Sequence, residues 1–430
     1  MEIKKITKVL LPLLIISSSL KWEIIILPVI HRGLAFMISE IVIVLLFMLQ
    51  VYKTKKSNGN LIENKLLRYG VIAFTIYCLA VTGYHIISGG FNMMYFDYPR
   101  HSLEFIMLCI IITTKDSILD RKSFFTGIMI SIGFLAVSQL IVFYYLGNIR
   151  SSTVAVNVNI FNCLAVLTLP TIFERIFFTV KRYERYFLII FSAVLQTLVL
   201  LSGSRTSSIL LLIIYGVYFI KLMFMKKFKK SLVFIPLIVV TLLSCGVFYE
   251  TAQPAGKNAL YRSFGIIRKV PSSSISGSSA NDVREKADAA FDDGSDNLRK
   301  LMYEKGIKEA SKNPLIGTGI VTFDFQMGGR IVHQSPHNFL IEGVLGLGII
   351  GLILFFWVIA YIIFEDLTKK ELYKKWYHGI NDKLVVILTL AFLLAFSVTQ
   401  PTMLSRIVLF TFAFLAFAQT KDLKIEDSKE

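Results

Sequence analysis

Cysteine is scarce: four residues in a chain of 430. Cys78, Cys109, Cys163 and Cys245 all fall inside apolar blocks, so there is no disulfide framework and no Cys/His metal spacing. They read as small buried hydrophobes. The acidic run Asp292, Asp293, Asp296 lacks the spacing and the distal glutamate of a calcium loop and reads as solvated loop. Internal repeats and a low-complexity tail are missing as well. The opening KKITKVLLPLLIISSSLKW is positive, then apolar, then small, but has no clear A-x-A cleavage site. A second apolar block follows almost at once, so it reads as a retained first span. Gly346, Gly348 and Gly351 spell G-x-G-x-x-G, yet no strand is expected before them and apolar sequence runs on to Phe364. That context excludes a dinucleotide fold.

What is abundant is hydrophobic sequence, 55% of the chain, in blocks of about twenty residues, the length that spans ~30 Å of hydrocarbon. The expected fold is an all-α polytopic membrane protein with about 12 transmembrane helices. Spans are expected near 8–29, 33–52, 69–88, 100–115, 124–147, 156–177, 186–202, 206–225, 231–249, 338–364, 384–400 and 403–420. Thus 1–249 holds spans one to nine, 338–420 holds spans ten to twelve, and 421–430 is a tail.

Net charge +17 first suggests nucleic acid, but its distribution is topological. One set of connections, with both termini, carries 27 Lys/Arg against six (Lys21, Arg32, Arg100, Arg150, Arg205, Arg406) on the other side. The positive-inside rule then puts both termini in the cytoplasm and calls for no nucleic-acid partner. The long connection 250–337 falls on the outer side, and such a loop is functional or disordered. Its first part, PSSSISGSSANDVREKADAAFDDGSD, has a mobile composition. A short helix is expected near 296–312, capped by Ser295 or Asp296 and ended by Asn313-Pro314.

Charges near a bilayer are costly and need a reason. On the outer side Arg100, Arg205 and Arg406 stand at helix mouths, and Arg299 opens the loop helix. A guanidinium fork suits phosphate oxygens. Arg205, in the very short turn SGSRT, would lie where a lipid-linked anion lies. The alternative for Arg100, Arg205 and Arg406 is a snorkelling interfacial arginine, and for Arg299 an ordinary solvated one. His337, between Pro336 and Asn338, has the pKa range of a general base, or else is an interfacial structural histidine. His333 reads as a loop residue. Glu342, in the first turns of the tenth span, is expected uncharged or paired within an outward cavity, and Glu104 raises the same question. The glycines of the tenth span suit close helix approach.

Taken in order, these features resemble the O-antigen polymerase/ligase superfamily of bacterial membrane glycosyltransferases. The residues that carry the resemblance are NVNIFNCLAV at the sixth span and SGSRTS between spans seven and eight. After them come NLRKLMYEKGIKEASKNPLIGTGIVTF in the loop and PHNFLIEGVLGLGIIG. One departure is Asn157-Val-Asn159, which lacks the proline often found between the asparagines.

The resemblance implies an enzyme of surface-polysaccharide synthesis (O-antigen of lipopolysaccharide, or capsule) in the bacterial inner membrane, active on its outer face. The donor would be an oligosaccharide on undecaprenyl diphosphate. Arg205 and Arg299 would bind the diphosphate, His337 would activate the acceptor hydroxyl, and Arg100, Arg406, Asn338 and Glu342 are secondary candidates. No cofactor and no metal are expected, since two arginines can compensate the leaving group's charge. The pathway's chain-length regulator and flippase are the expected protein partners. A repeat-unit polymerase is the first reading; a ligase of the same superfamily or a polysaccharide transporter or flippase is the alternative.

Overall fold

A backbone crossing hydrocarbon must bond to itself, so the apolar blocks become helices. The computed structural model describes residues 2–20, 23–27, 34–92, 94–114, 118, 121–146, 158–179, 182–251, 295–327, 330–336, 338–368 and 382–397. In chain order the elements begin α1 Glu2–Leu20, β1 Glu23–Leu27, β2 Leu34–Met37, α2 Ile38–Lys56, α3 Lys65–Gly89, α4 Met94–Thr113 and α5 Arg121–Leu146. Then follow α6 Val158–Glu174 with a π-turn at Arg175–Thr179, α7 Arg182–Leu201, α8 Arg205–Phe224, the single turn α9 Phe228–Ser231 and α10 Phe234–Thr251. The last are α11 Ser295–Ala310, β3 Phe323–Met327, β4 Arg330–Gln334, α12 Phe339–Thr368 and α13 Asp382–Ser397. Among the described residues, five helical stretches are long and apolar enough to cross a membrane: Lys65–Gly89, Arg182–Leu201, Arg205–Phe224, Phe228–Phe248 and Phe339–Ile362. The molecule is therefore a mostly helical protein built from apolar, membrane-length helices.

The chain divides into two compact units. The first holds residues 1–130, 297–374 and 393–430, the second 131–296 and 375–392. In the first, α1 packs on α2, α2 on α4, and α12 on both α3 and α4. Phe355 of α12 meets Phe74 of α3 and Phe105 of α4 at ring separations of 5.7 and 6.0 Å. Asn64 caps α3, accepting from Leu66 N at 2.9 Å, while its Nδ2 donates to the Tyr361 hydroxyl of α12 at 2.5 Å. In the second unit α7 packs on α10, and α6 on α7 and α8. Phe173, Phe177, Tyr215, Tyr218 and Phe234 form an aromatic cluster there, with neighbouring centroids 5.1 to 6.2 Å apart.

Two short antiparallel hairpins depart from the all-helical expectation. The span expected at 8–29 stops at Leu20, and the one expected at 33–52 begins at Ile38. Between them β1 pairs with β2, Glu23 opposite Met37. The sequence EIIIL explains it: consecutive β-branched residues lose side-chain freedom in a helix and suit a pleated strand. The second hairpin pairs Phe323 with Gln334 and Met327 with Arg330, so a strand does precede the glycine motif. The dinucleotide reading stays excluded because β4 is antiparallel and Gly346, Gly348 and Gly351 lie within α12, not in a strand-to-helix turn.

The twelfth expected span, Arg406, His337 and residues 252–294 lie outside the described residues.

Candidate functional site

The segment after His337 is fixed by a helix cap. Asn338 Oδ1 accepts from Leu340 N at 3.0 Å and Ile341 N at 3.3 Å, and its carbonyl accepts from Glu342 N at 2.9 Å. Asn is a preferred N-cap because its side-chain oxygen satisfies amides that the first turn leaves unbonded. Asn338 is thus committed to starting α12. Glu342, one turn further, is fully buried. Neither carboxylate oxygen makes a full hydrogen bond among the described residues, and Ser335 and Tyr98 are its polar neighbours.

The tenth span expected at 338–364 is not one straight helix. Gly348 interrupts α12 with φ 67° and ψ 176°. A Cβ on Gly343 would come within 2.6 Å of Leu352, nine residues on, whereas a straight helix would separate them by about 13 Å. The chain therefore bends sharply between a half-helix at 339–347 and a longer one at 349–368. The second half alone, twenty residues or about 30 Å, suffices to span hydrocarbon.

Backbone groups freed by the break find partners in the NPLIGTG run that follows α11. Pro314 O accepts from Ile349 N at 2.9 Å and Leu315 O from Ile350 N at 3.2 Å. Thr318 N and Gly319 N both donate to Leu345 O, at 2.8 and 2.9 Å. The Tyr77 hydroxyl of α3 donates to Leu347 O at 2.5 Å. Close approach explains the glycines: a Cβ on Gly317, φ 76°, would sit 2.6 Å from Leu345 O, and one on Gly348 2.2 Å from Leu315 O. Irregular backbone at membrane depth is tolerated where protein satisfies it, and this run does so. Gly346 and Gly351 follow the close-packing expectation, lying against Tyr98 of α4 and Tyr77 of α3.

The same run ties α11 to the start of α12. Gly306 of α11 abuts Pro336 and Ile341, where a Cβ would lie 2.9 Å from each. These two residues flank His337 in sequence. Arg299 lies seven residues before Gly306, about 10 Å along the same helix; its side chain is outside the described residues. Sequence reasoning missed Gly306, although a glycine inside EKGIKEA breaks helix propensity without an evident reason, which is a signal of close contact.

Arg205, in the second unit, is the first residue of α8 and is half-buried. Ser204 caps that helix through Ser207 N, and Gly203 makes the turn at φ 72°. Below it, Asn162 Nδ2 of α6 donates to the Ser202 hydroxyl at 2.8 Å in a buried contact. Among the described residues, the asparagine of the NVNIFN block that anchors the SGSR turn is Asn162. Asn157 and the side chain of Asn159 lie outside the described residues.

Arg100 has different company. Its Nε lies 3.2 Å from Glu40 of α2, and its Nη2 3.1 Å from Asp97. His101 Nδ1 stands 3.7 Å from Glu104, which gives Glu104 the partner that sequence alone did not name. One ligand atom each from Glu40, His101 and Glu104 falls within 4.8 Å of the others, a grouping that spacing could not reveal because Glu40 comes from another helix. With Arg100 already on Glu40, the group reads as an ion-pair network joining α2 to α4.

No curated protein matches the chain significantly. Residues 187–356, which include the SGSRT turn, α11, the NPLIGTG run, Asn338 and the break in α12, match the sequence model of the O-antigen ligase family, a match that supports the resemblance to the O-antigen polymerase/ligase superfamily.

Proposed function

We propose that this protein polymerises oligosaccharide repeat units of a surface polysaccharide, O-antigen or capsule, at the outer face of the bacterial inner membrane. In this reading about twelve spans place both termini in the cytoplasm and residues 250–337 outside. The donor is a glycan on undecaprenyl diphosphate and the acceptor is a sugar hydroxyl of a second lipid-linked unit. His337 takes the hydroxyl proton as the oxygen attacks the anomeric carbon. The bond from that carbon to the diphosphate oxygen breaks, and undecaprenyl diphosphate leaves. Attack opposite the leaving group inverts the anomeric centre. Arg205 and Arg299 compensate the charge gathering on the diphosphate, so the step proceeds without a metal ion.

The observation that carries this reading is the family match, which contains Arg205, Arg299 and His337 in the order that the resemblance assigns them. The interlocked α11, NPLIGTG run and capped start of α12 support it. They give Arg299's helix and the residues beside His337 a common rigid frame, which proximity catalysis requires.

The test is incubation of the reconstituted protein with a lipid-linked repeat unit alone. A ladder of products that persists in EDTA is expected, and His337→Ala should slow it by about 10²–10⁴-fold. Near wild-type rates in His337→Ala would overturn the assignment of the base. The ligase reading is favoured by the description of the matched family. It predicts product only when a second acceptor is added.

A further inference from the structure

The second unit carries an open apolar groove that the transfer chemistry does not use. It begins at Tyr215, ten residues or about 15 Å along α8 from Arg205. Its volume is about 460 Å³, within the range of small-molecule sites. Tyr215, Gly216 and Phe219 of α8 form one wall, and Phe228, Leu232 and Ile235 of the α9–α10 segment form the other. The polar atoms of its lining are engaged elsewhere: the Tyr215 hydroxyl donates to Gln196 at 2.5 Å, and the Ser231 hydroxyl to Phe228 O at 2.6 Å. Gly216 leaves the space open, since a Cβ there would meet nothing within 4 Å.

The turn beside this groove carries Lys226, Lys227, Lys229 and Lys230, and the sequence holds no Asp or Glu between Glu184 and Glu250. Lys230 is spent on Phe177 O at 2.5 Å, while Lys226 and Lys229 are exposed. Lys226, at φ 54°, closes α8 as its left-handed C-terminal cap, its N–H donating to Met223 O and that of Lys227 to Leu222 O, both at 2.9 Å, which holds the lysine turn beside the groove. Topology alone asks for positive charge at this helix end; it does not ask for an apolar groove beside it.

We propose that the groove and its lysine rim bind an anionic phospholipid, with an acyl chain along the α8–α10 wall and the phosphate on Lys226 and Lys229. This assignment is independent of the glycan chemistry proposed above.

Native mass spectrometry of the detergent-solubilised protein, titrated with phosphatidylglycerol and with phosphatidylcholine, tests it. Wild type should hold phosphatidylglycerol about thirty-fold more tightly, the sum of two lysines' attraction to an anionic headgroup. Lys226→Gln/Lys229→Gln should bring that preference close to one. Gly216→Leu fills the groove and favours helix, so it should fold as wild type and lose both lipids. Equal binding of the two lipids by wild type would overturn the proposal. So would full preference in the double lysine variant, or unchanged binding in Gly216→Leu. Stronger retention of undecaprenyl phosphate than of phosphatidylglycerol would replace the phospholipid with the isoprenoid.

Discussion

At the scale of single residues, the polar side chains near the start of α12 divide into those that build and those left available for chemistry. Asn338 builds. If its role is the cap, Asn338→Asp keeps an acceptor at the N-cap and should leave melting temperature and rate close to wild type. Asn338→Ala should cost about 1 kcal/mol, read by thermal unfolding in detergent. A large loss of rate in Asn338→Asp with unchanged melting would instead give Asn338 a direct part in the reaction. Arg100 is the converse case. Sequence placed it at an outer helix mouth and made it a candidate for phosphate; the fold gives it Glu40 and Asp97. Glu40 is buried, so Arg100→Gln removes the guanidinium charge beside a buried carboxylate and should cost about 2–4 kcal/mol, less than a fully buried pair because Arg100 keeps some solvent. Glu40→Gln/Arg100→Gln should recover most of that loss, a coupling that a double-mutant cycle reads directly. If Arg100 served only substrate, its loss would change KM and leave stability alone.

At the scale of elements, the pattern legible in sequence was the hydrophobic block. Its length fixes a helix wherever the flanks are clean, and so α3, α7, α8 and α10 fall where apolar runs predicted them. The misses share a cause: a run of apolar residues has no period that separates strand from helix. EIIIL was absorbed into a span, and FDFQMGGRIVHQ was read as loop although its Gly-Gly between alternating runs is a hairpin signal. The break at Gly348 was hidden for another reason. Glycines in a membrane helix usually mean close packing, and only the distant Pro314 and Leu315 carbonyls show that one of them is a chain reversal. Gly348→Ala therefore tests more than packing. Its Cβ would fall 2.2 Å from Leu315 O, at a φ that alanine rarely adopts, so folded yield should collapse. Tyr77→Phe removes one bond to Leu347 O and should cost about 1–3 kcal/mol while leaving the fold intact. Indistinguishable melting of Gly348→Ala and wild type would mean that the break is not a fixed feature.

At the scale of the whole molecule, charge bias and helix length make one joint prediction about sidedness. α3 has 25 residues, about 37 Å of helix, which exceeds ~30 Å of hydrocarbon, so its two ends must open on opposite sides if it crosses. The end near α2 follows Lys53, Lys55 and Lys56; the other end runs through Gly89 to Phe91 and carries no lysine or arginine. Ser57, the first residue after α2 in the connection to α3, and Phe91, two residues past the end of α3, are both exposed, and all four native cysteines are buried. A membrane-impermeant maleimide should therefore ignore the native thiols and report only an introduced one. In intact cells Phe91→Cys and Ser276→Cys should label, whereas Ser57→Cys and Lys229→Cys should label only after permeabilisation. Reversal of the whole set would place the lysine-rich ends outside and move the proposed chemistry to the wrong leaflet. Labelling of Ser57→Cys and Phe91→Cys from the same side would mean that α3 does not cross. The span count would then have to be rebuilt from the hydrophobic blocks upward, because the orientation of every later helix depends on that crossing.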